Sequence, residues 1–438
     1  MALLTKDEAR KILEKVLSYS NADECESNLN GNISGNIRFA RNTVTTSGMQ
    51  NDTTLVVQSS YGMKTGTATI NEFDDASLEK AVRRSEDLAK LAPENPEYVN
   101  FLGPQQYLQS KGYFESTAGI TAEYRAQVAN SSVKPSREKN LTAAGFLQNN
   151  TGFQSMMNSK GLFAYHQETG VNYSSTVRTN DGTGSGYVTR DYNDSSKLDA
   201  AAASQIAIDK AEMSKNPVAI EPGKYTVILE PAASIDLLQN MIFNMDARQT
   251  DEGRTFLAKA GGGSKVGEKL LDERVTIYSD PTHPEVPTTT WGGDGRPYEH
   301  VVWIEKGVVK NLFYSRFWAQ KKGVKAIPAP SNGIMEGGIA TLADMIRDTT
   351  KGVLVTRLWY IRTVDPQTLL YTGLTRDGLF YIENGKIKHS IKNFRFNESP
   401  VIMLNNLETL GKPERINGNM VPPMKIRDFT FTSLSDAV

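Results

Sequence analysis

The sequence predicts an α+β fold. An N-terminal α+β domain of antiparallel strands and flanking helices spans residues 1–217, and a strand-dominated C-terminal domain spans residues 218–438. Three observations carry this reading. The first two hundred residues run twice through helix, strands and helix. A break follows at "NPVAIEPGKYTVILEP", where two prolines and a glycine precede a new apolar strand. Beyond it, strand-like apolar runs bounded by turn-forming residues dominate.

Taken in order, Thr5 to Ser18 reads as a helix with Thr5 as N-cap and acidic residues in its first turn. "NIRFARNTVTTSG" and "NDTTLVVQSSYG" read as antiparallel strands joined by a glycine-containing turn, and "YGMKTGTATI" adds a strand. "DDASLEKAVRRSEDLAKLA" is a helix capped by Asp74 or Asp75 and closed by "PENPEY". Residues 118–215 repeat the order. "TAEYRAQVANSS" is helical, "NLTAAGFLQNNTG", "GLFAYHQETGVNYSSTVRT" and "GSGYVTRDYND" are strand-like, and "KLDAAAASQIAIDKAEMSKN" is a helix. Little identity links the halves, so duplication is a matter of pattern only.

The second half opens with a strand over Tyr225–Glu230, then an amphipathic helix containing "LLQNMIFN", Leu237 to Asn244. Gly-rich "AKAGGGSKVGEK" leads to strands "RVTIYSD", "HVVWIEKGVVKNLFYS" and "GVLVTRLWYIRTVD". "TLLYTGLTRDGLFYIENGKIKHSIKNFRF" is a run of strands broken by turns at "RDG" and "ENG".

Composition narrows the function classes. The hydrophobic share of 39% and charged share of 23% are those of an ordinary globular protein. Lys and Arg (49) balance Asp and Glu (50), a net charge of −1 that argues against phosphate-neutralising nucleic-acid binding. A single cysteine, Cys25, excludes an intramolecular disulfide and a cysteine-rich zinc site. Charges scattered through "MALLTKDEARKILEKVLSYS" do not suit a secretory signal, and no apolar run approaches the roughly 18–20 residues of a membrane span. A cytoplasmic protein is expected.

Familiar motifs fail on chemistry. Gly262 and Gly267 have P-loop spacing, but Glu268 stands where the phosphate-binding lysine belongs. "DGTGSG" (Asp181–Gly186) lies between strands instead of opening a helix. The four histidines, His166, His283, His300 and His389, include no local zinc pair. His283 and His300 flank a loop carrying Glu285, Asp294 and Glu299, which could build a metal site only by long-range convergence. No nucleophile elbow of the GxSxG kind occurs.

Strand alternation supplies a further clue. In "KNFRFNES", Asn393, Arg395 and Asn397 share one face and Phe394 and Phe396 the other. In "TRLWYIR", Arg357 shares a face with Trp359, and Arg362 with Tyr360. Such polar faces suit capture of an extended peptide by strand addition, or are simply the solvated side of a sheet.

Several segments together resemble the TldD/PmbA family, also called modulators of DNA gyrase. They are "YTVILEP" leading into the helix, "HVVWIEKGVVKNLFYSRFWAQKKG", "KGVLVTRLWYIRTVD", "TGLTRDGLFYIENGKI" and "KNFRFNESP". The resemblance implies a C-terminal domain of the TldD/PmbA type. In the catalytic branch, the helix after the "VIL" strand carries HExxxH behind two leucine-like residues. Its histidines bind zinc and its glutamate is the general base. Aligned on Leu237 and Leu238, this chain has Gln239 and Asn244 at the histidine positions and Asn240 at the glutamate position.

Residues five apart on a regular helix point about 140° away from each other, so a working HExxxH needs a local widening of the π-bulge kind. Neutral amides are poor zinc ligands, and Asn240 cannot accept a proton from a metal-bound water. The C-terminal cysteine ligand of that branch is also missing, and no histidine lies between residues 167 and 282.

The resemblance therefore implies a PmbA/TldE-like subunit, non-catalytic alone and binding no cofactor itself. It would pair with a TldD-like subunit that bears HExxxH and zinc, in a cytoplasmic complex degrading or trimming unfolded peptides. Arg357, Arg362, Arg376 and Arg395 are the candidate peptide contacts. Two alternatives stand beside this: a self-sufficient metallopeptidase with a site assembled from residues such as His283 and His300, and a homodimeric peptide-binding protein without a proteolytic role. No direct nucleic-acid or membrane partner is expected.

Overall fold

The computed structural model describes residues 3–436. Its first helix, Lys6–Tyr19, starts at a capping box: Thr5 Oγ1 accepts from the Glu8 amide at 3.3 Å, and Glu8 Oε2 accepts from the Thr5 amide at 2.8 Å. Six strands follow in two groups. These are β1 (Glu24–Ala40), β2 (Thr43–Tyr61) and β3 (Lys64–Ile70), then β4 (Leu141–Asn158), β5 (Phe163–Thr179) and β6 (Ser185–Tyr192). They form one sheet of order β3-β2-β1-β4-β5-β6 in which every neighbouring pair is antiparallel.

β1 and β4 lie side by side at its centre, so each group of three steps outward from the middle. The helices Lys6–Tyr19 and Asp75–Leu91 bracket the first group, and Ala122–Glu138 and Ala200–Met213 bracket the second. One glycine in each outer strand, Gly66 and Gly186, lets the closing helix of its group approach. A Cβ at either would collide with helix backbone, at Ala89 and at Ala207. The pattern repeat in the sequence is thus a repeat of architecture.

The β1–β2 connection differs from the expected glycine turn. The chain reverses at Arg41 and Asn42, with φ of 50° and 59°, and "NIRFARNTVTTSG" contains the whole hairpin tip. Both central residues at positive φ match the twist of the flanking strands, and Asn tolerates this. The Asn42 side chain also accepts from the Ala143 amide at 2.7 Å and donates to the Leu141 carbonyl at 2.7 Å, tying the turn to β4.

β7 (Gly223–Leu229) opens the second half and feeds the helix Pro231–Phe243, called the motif helix below. Short strands follow: β8 (Ile277–Ser279), β9 (Val301–Glu305), β10 (Val308–Val309) and β11 (Ile334–Met335). The longer β12 (Lys351–Asp365) and β13 (Leu370–Glu383) come next, then β14 (Lys386–Ser390), β15 (Phe394–Glu398), β16 (Leu407–Leu410), β17 (Glu414–Ile416), β18 (Asn419–Val421) and β19 (Met424–Leu434). One mixed sheet has the order β10-β9-β8-β11-β18-β17.

The remaining long strands close on themselves. β12 pairs with β7, β7 with β19, β19 with β15, β15 with β13, and β13 again with β12. Inside this ring Phe394, Phe396, Phe429 and Phe431 are fully buried, and the rings of Phe394 and Phe431 stack at 4.7 Å. The motif helix contacts β7 and β12 of the ring as well as β17 and β18 of the mixed sheet.

Two features depart from simple strand reading. "ENG" is a hairpin turn, with Asn384 and Gly385 at φ of 51° and 75°, but "RDG" is not a turn. β13 runs straight through it, and Asp377 (φ 57°) with Gly378 (φ 115°) forms a bulge against β12. An Asp-Gly pair supplies positive φ equally well to a bulge and to a turn. A second bulge sits in β12, where Trp359 faces Leu374 but Arg362 faces Thr372, leaving one extra residue. Tyr360, at φ 53°, absorbs it.

Candidate functional site

The motif helix is built by an apolar stripe. Ala233, Ile235, Leu237, Leu238, Met241 and Ile242 are buried, whereas Asp236, Gln239, Asn240 and Phe243 form the outward stripe at i, i+3, i+4 and i+7. Pro231 occupies its first turn, where a missing N–H costs nothing. Glu230 at the N-cap makes no capping bond. Instead its two oxygens accept from Lys210 Nζ at 2.6 and 2.7 Å, an ion pair joining this helix to Ala200–Met213.

Pro231–Phe243 is α-helical throughout, with no widened turn, so Gln239 and Asn244 do not come to one side. Asn244 is the C-cap, not a helical residue. Its backbone N–H makes the last helical bond, to the Asn240 carbonyl at 3.3 Å, and its Nδ2 donates to the same carbonyl at 2.8 Å. That amide is committed to closing the helix. Gln239 instead lines a cavity of about 250 Å³, together with Ile242, Phe243, Pro287, Thr288, Pro330, Ser331, Asn332, Gly333, Asn417, Gly418 and Asn419.

No lining residue of this cavity has an ionisable side chain. Two of its amides are also occupied. Asn332 Nδ2 donates to the carbonyls of Asp280 and Val286, both at 2.8 Å, and Asn419 Oδ1 accepts from the Gly333 amide at 2.7 Å. The donor set does not fit zinc: it offers neutral amides and hydroxyls, with neither imidazole nor carboxylate nor thiolate. Its chemistry is that of hydrogen bonding to neutral groups, among which a peptide backbone is the obvious case.

The histidines stand apart from one another. His166 is buried in β5 with the Trp291 ring edge-on at 6.1 Å, and burial lowers its pKa to about 4. His300 packs against Tyr278 and His389 against Tyr381, while His283 Nδ1 accepts from the Glu285 amide at 3.3 Å. Glu285, Asp294 and Glu299 meet three different cations, Lys197, Arg296 and Lys325. Among the described residues no three His, Cys, Asp or Glu side chains converge as a metal site. Among the described residues, His283 and His300 join no such cluster.

The four candidate arginines do come together. Arg357 of β12 lies directly opposite Arg376 of β13, Leu374 lies opposite Arg395 of β15, and Arg362 lies opposite Thr372. Residues 372, 374 and 376 alternate along β13, so all four arginines project from one face, the outside of the ring. Strict alternation would place Arg362 opposite to Arg357, but the Tyr360 bulge resets the phase by one residue.

Rings hold three of these guanidinium groups. Arg357 lies over Tyr187 of β6 at 4.1 Å and over Trp359 at 4.8 Å, Arg376 over Trp359 at 5.2 Å, and Arg362 over Tyr360 at 4.2 Å. The like charges of Arg357 and Arg376 are relieved by Asp377, only 2% exposed, which lies 3.3 Å from Arg357 Nη1 and 3.9 Å from Arg376 Nε. Ser185 Oγ donates to its other oxygen at 2.7 Å. Tyr187, Ser185 and Asp377 were not legible as site residues. The first two come from the other half of the chain, and the third stands in an apparent turn.

Comparison with known proteins bears on the second half of the chain and on the fold. Residues 222–433 match the PmbA/TldA metallopeptidase C-terminal domain. An uncharacterized protein of Methanocaldococcus jannaschii is 24% identical over 295 residues, covering 66% of this chain and 67% of that protein. A metalloprotease of Archaeoglobus fulgidus is 31% identical over 120 residues, which is 27% of each chain. The crystal structure of TldE from Thermococcus kodakarensis superposes with a TM-score of 0.88 at 18% identity, covering 97% of this chain and 99% of that one, a likeness of fold. The second half of the chain thus carries a PmbA/TldA metallopeptidase C-terminal domain, and the chain as a whole has the fold of the TldE structure.

Proposed function

We propose that this chain is the non-catalytic, TldE-like subunit of a two-subunit metallopeptidase that processes unfolded peptides. The zinc and the general base belong to a TldD-like partner bearing HExxxH. One observation carries the reading. The cavity beside the motif helix, where the family resemblance puts the reacting centre, is walled without an ionisable side chain. A neutral wall of this kind can hold a peptide but cannot supply a ligand, a base or an acid.

In this role the subunit encloses substrate and contributes contacts, with Arg357, Arg362, Arg376 and Arg395 meeting the extended peptide. No helix among the described residues is long and apolar enough to cross a membrane, consistent with work in an aqueous compartment such as the cytoplasm.

The test is isolation of the chain from native extract, followed by native mass spectrometry and a casein- or peptide-hydrolysis assay. The expected result is a heteromeric complex with a related HExxxH chain, active as the pair and inactive as this chain alone. Zinc-dependent hydrolysis by the purified chain alone would overturn the proposal. So would a homodimer that never acquires activity on adding the related chain.

A further inference from the structure

The outer face of β12, β13 and β15 has more positive charge than the fold can use. Four guanidinium groups project there from a chain whose net charge is −1. The carboxylates set against them are Asp377, shared by Arg357 and Arg376, and the outward-facing Asp236 of the motif helix, which interacts with Arg357 at longer range. Among the described residues, Arg362 and Arg395 are exposed and form no ion pair. Arg362 Nη1 donates to the Ile361 carbonyl at 3.0 Å, and Arg395 Nη1 to Thr372 Oγ1 at 3.3 Å.

The aromatic contacts set how these groups present themselves. Rings lie beside the Arg357, Arg362 and Arg376 guanidinium groups, with centroids 4.1, 4.2 and 5.2 Å from the guanidinium carbons, and the N–H donors of each group lie in its plane, at its edges. A planar fork already held beside a ring loses less rotamer freedom when it binds, and its edge matches a carboxylate in the two-bond manner. Trp359, 44% exposed, adds apolar surface beside them. From Thr356 onward β12 has β13 as its one strand neighbour among the described residues, so its other edge adjoins this face unpaired.

We propose that this face is a binding site for an acidic, extended polypeptide segment, its Asp and Glu carboxylates or chain terminus meeting Arg362 and Arg395 first. The occupant's being a polypeptide rests on the peptide-holding role proposed above; its acidic character rests on the arginine face alone.

The experiment uses the full chain without its partner. Fluorescence anisotropy compares a short labelled glutamate-rich peptide, its glutamine isostere and a single-stranded oligonucleotide of equal length. The glutamate peptide should bind about tenfold tighter than its isostere at low salt, and the gap should shrink as ionic strength rises to about 0.5 M. The exposed double variant R362A/R395A should abolish the preference without changing the unfolding midpoint. R362K/R395K, which keeps charge and loses the fork, should retain only part of it.

Equal binding of both peptides would overturn the acidic preference while leaving the peptide-holding role intact. An unaltered preference in R362A/R395A would show that the site lies elsewhere. Binding of neither peptide would overturn both readings. Oligonucleotide binding as tight as that of the glutamate peptide would replace the polypeptide with a nucleic acid.

Discussion

The motif-helix cavity and the arginine face both lie in the second half of the chain, within the residues that match the family domain. They differ in charge in opposite senses. The cavity is bounded by Gln239, Asn417, Thr288, Ser331 and prolines, with no ionisable side chain. The strand face gathers four arginines, two of them facing each other across a single buried carboxylate. With no ionisable side chain, the first wall has no group of its own to activate water, whereas the second is cationic. On the function proposed above, a subunit with these two walls takes part in proteolysis by selecting and enclosing substrate.

The comparison is tested most severely by separating the arginine face from the core it decorates. Phe396 and Arg395 are consecutive in β15, one packed in the ring and the other exposed. Phe396→Ala should lower the unfolding free energy by about 3–5 kcal/mol, measured by denaturant titration. Arg395→Ala should stay within about 0.5 kcal/mol of wild type. A comparable loss in both would mean that the arginine holds the ring together and was never spare.

Sequence reading reached the fold through its local devices. Thr5 and Asp74 cap their helices, and alternation put Phe394 and Phe396 on the face opposite Arg395. It could not reach the closure of the ring, because β7, β12 and β19 pair across up to two hundred residues with no local signal. The bulges were hidden for a different reason. "RDG" gives the same Asp-Gly signature in a turn and in a bulge, and nothing beside Tyr360 marks it for positive φ. The four arginines could therefore be named, but their convergence on one face could not, since the phase of Arg362 depends on that one extra residue. The amide character of the motif helix was legible because it depends on side-chain identity alone.

His166 sharpens the contrast from a third position, where a titratable group is buried with no hydrogen-bond partner for its Nε2, the nearby Glu168 Oε2 standing off at 3.8 Å. Its pKa is about 4 in the folded chain and about 6.5 in the unfolded one. Above about pH 6.5 both states hold it neutral, and it makes no difference. As pH falls through that value toward 4, the unfolded chain takes a proton that the folded chain refuses, so stability is lost across this window. The loss approaches about 3 kcal/mol. Denaturant titrations at neutral pH and near pH 4.5 should show a steeper decline in wild type than in His166→Gln. Equal slopes would mean that the ring is solvated, and would reopen His166 as an available ligand.

The smallest effect is expected where the motif is rewritten. The triple variant Q239H/N240E/N244H restores the letters HExxxH to a helix that is regular over Pro231–Phe243 and closes at residue 244. Its two imidazoles would leave the helix about 140° apart. Position 244 would also lose the amide that now donates to the Asn240 carbonyl. The cavity wall contains no further carboxylate, thiolate or imidazole to complete a tetrahedral set. Zinc in the desalted triple variant, measured by mass spectrometry of the metal, should therefore remain well below one per chain, with no hydrolysis. Stoichiometric zinc would show that the helix can widen and that substitution at three positions is all that separates this wall from a catalytic one. Background zinc would locate the difference deeper, in the backbone register of the helix end and in the neutral wall that faces it.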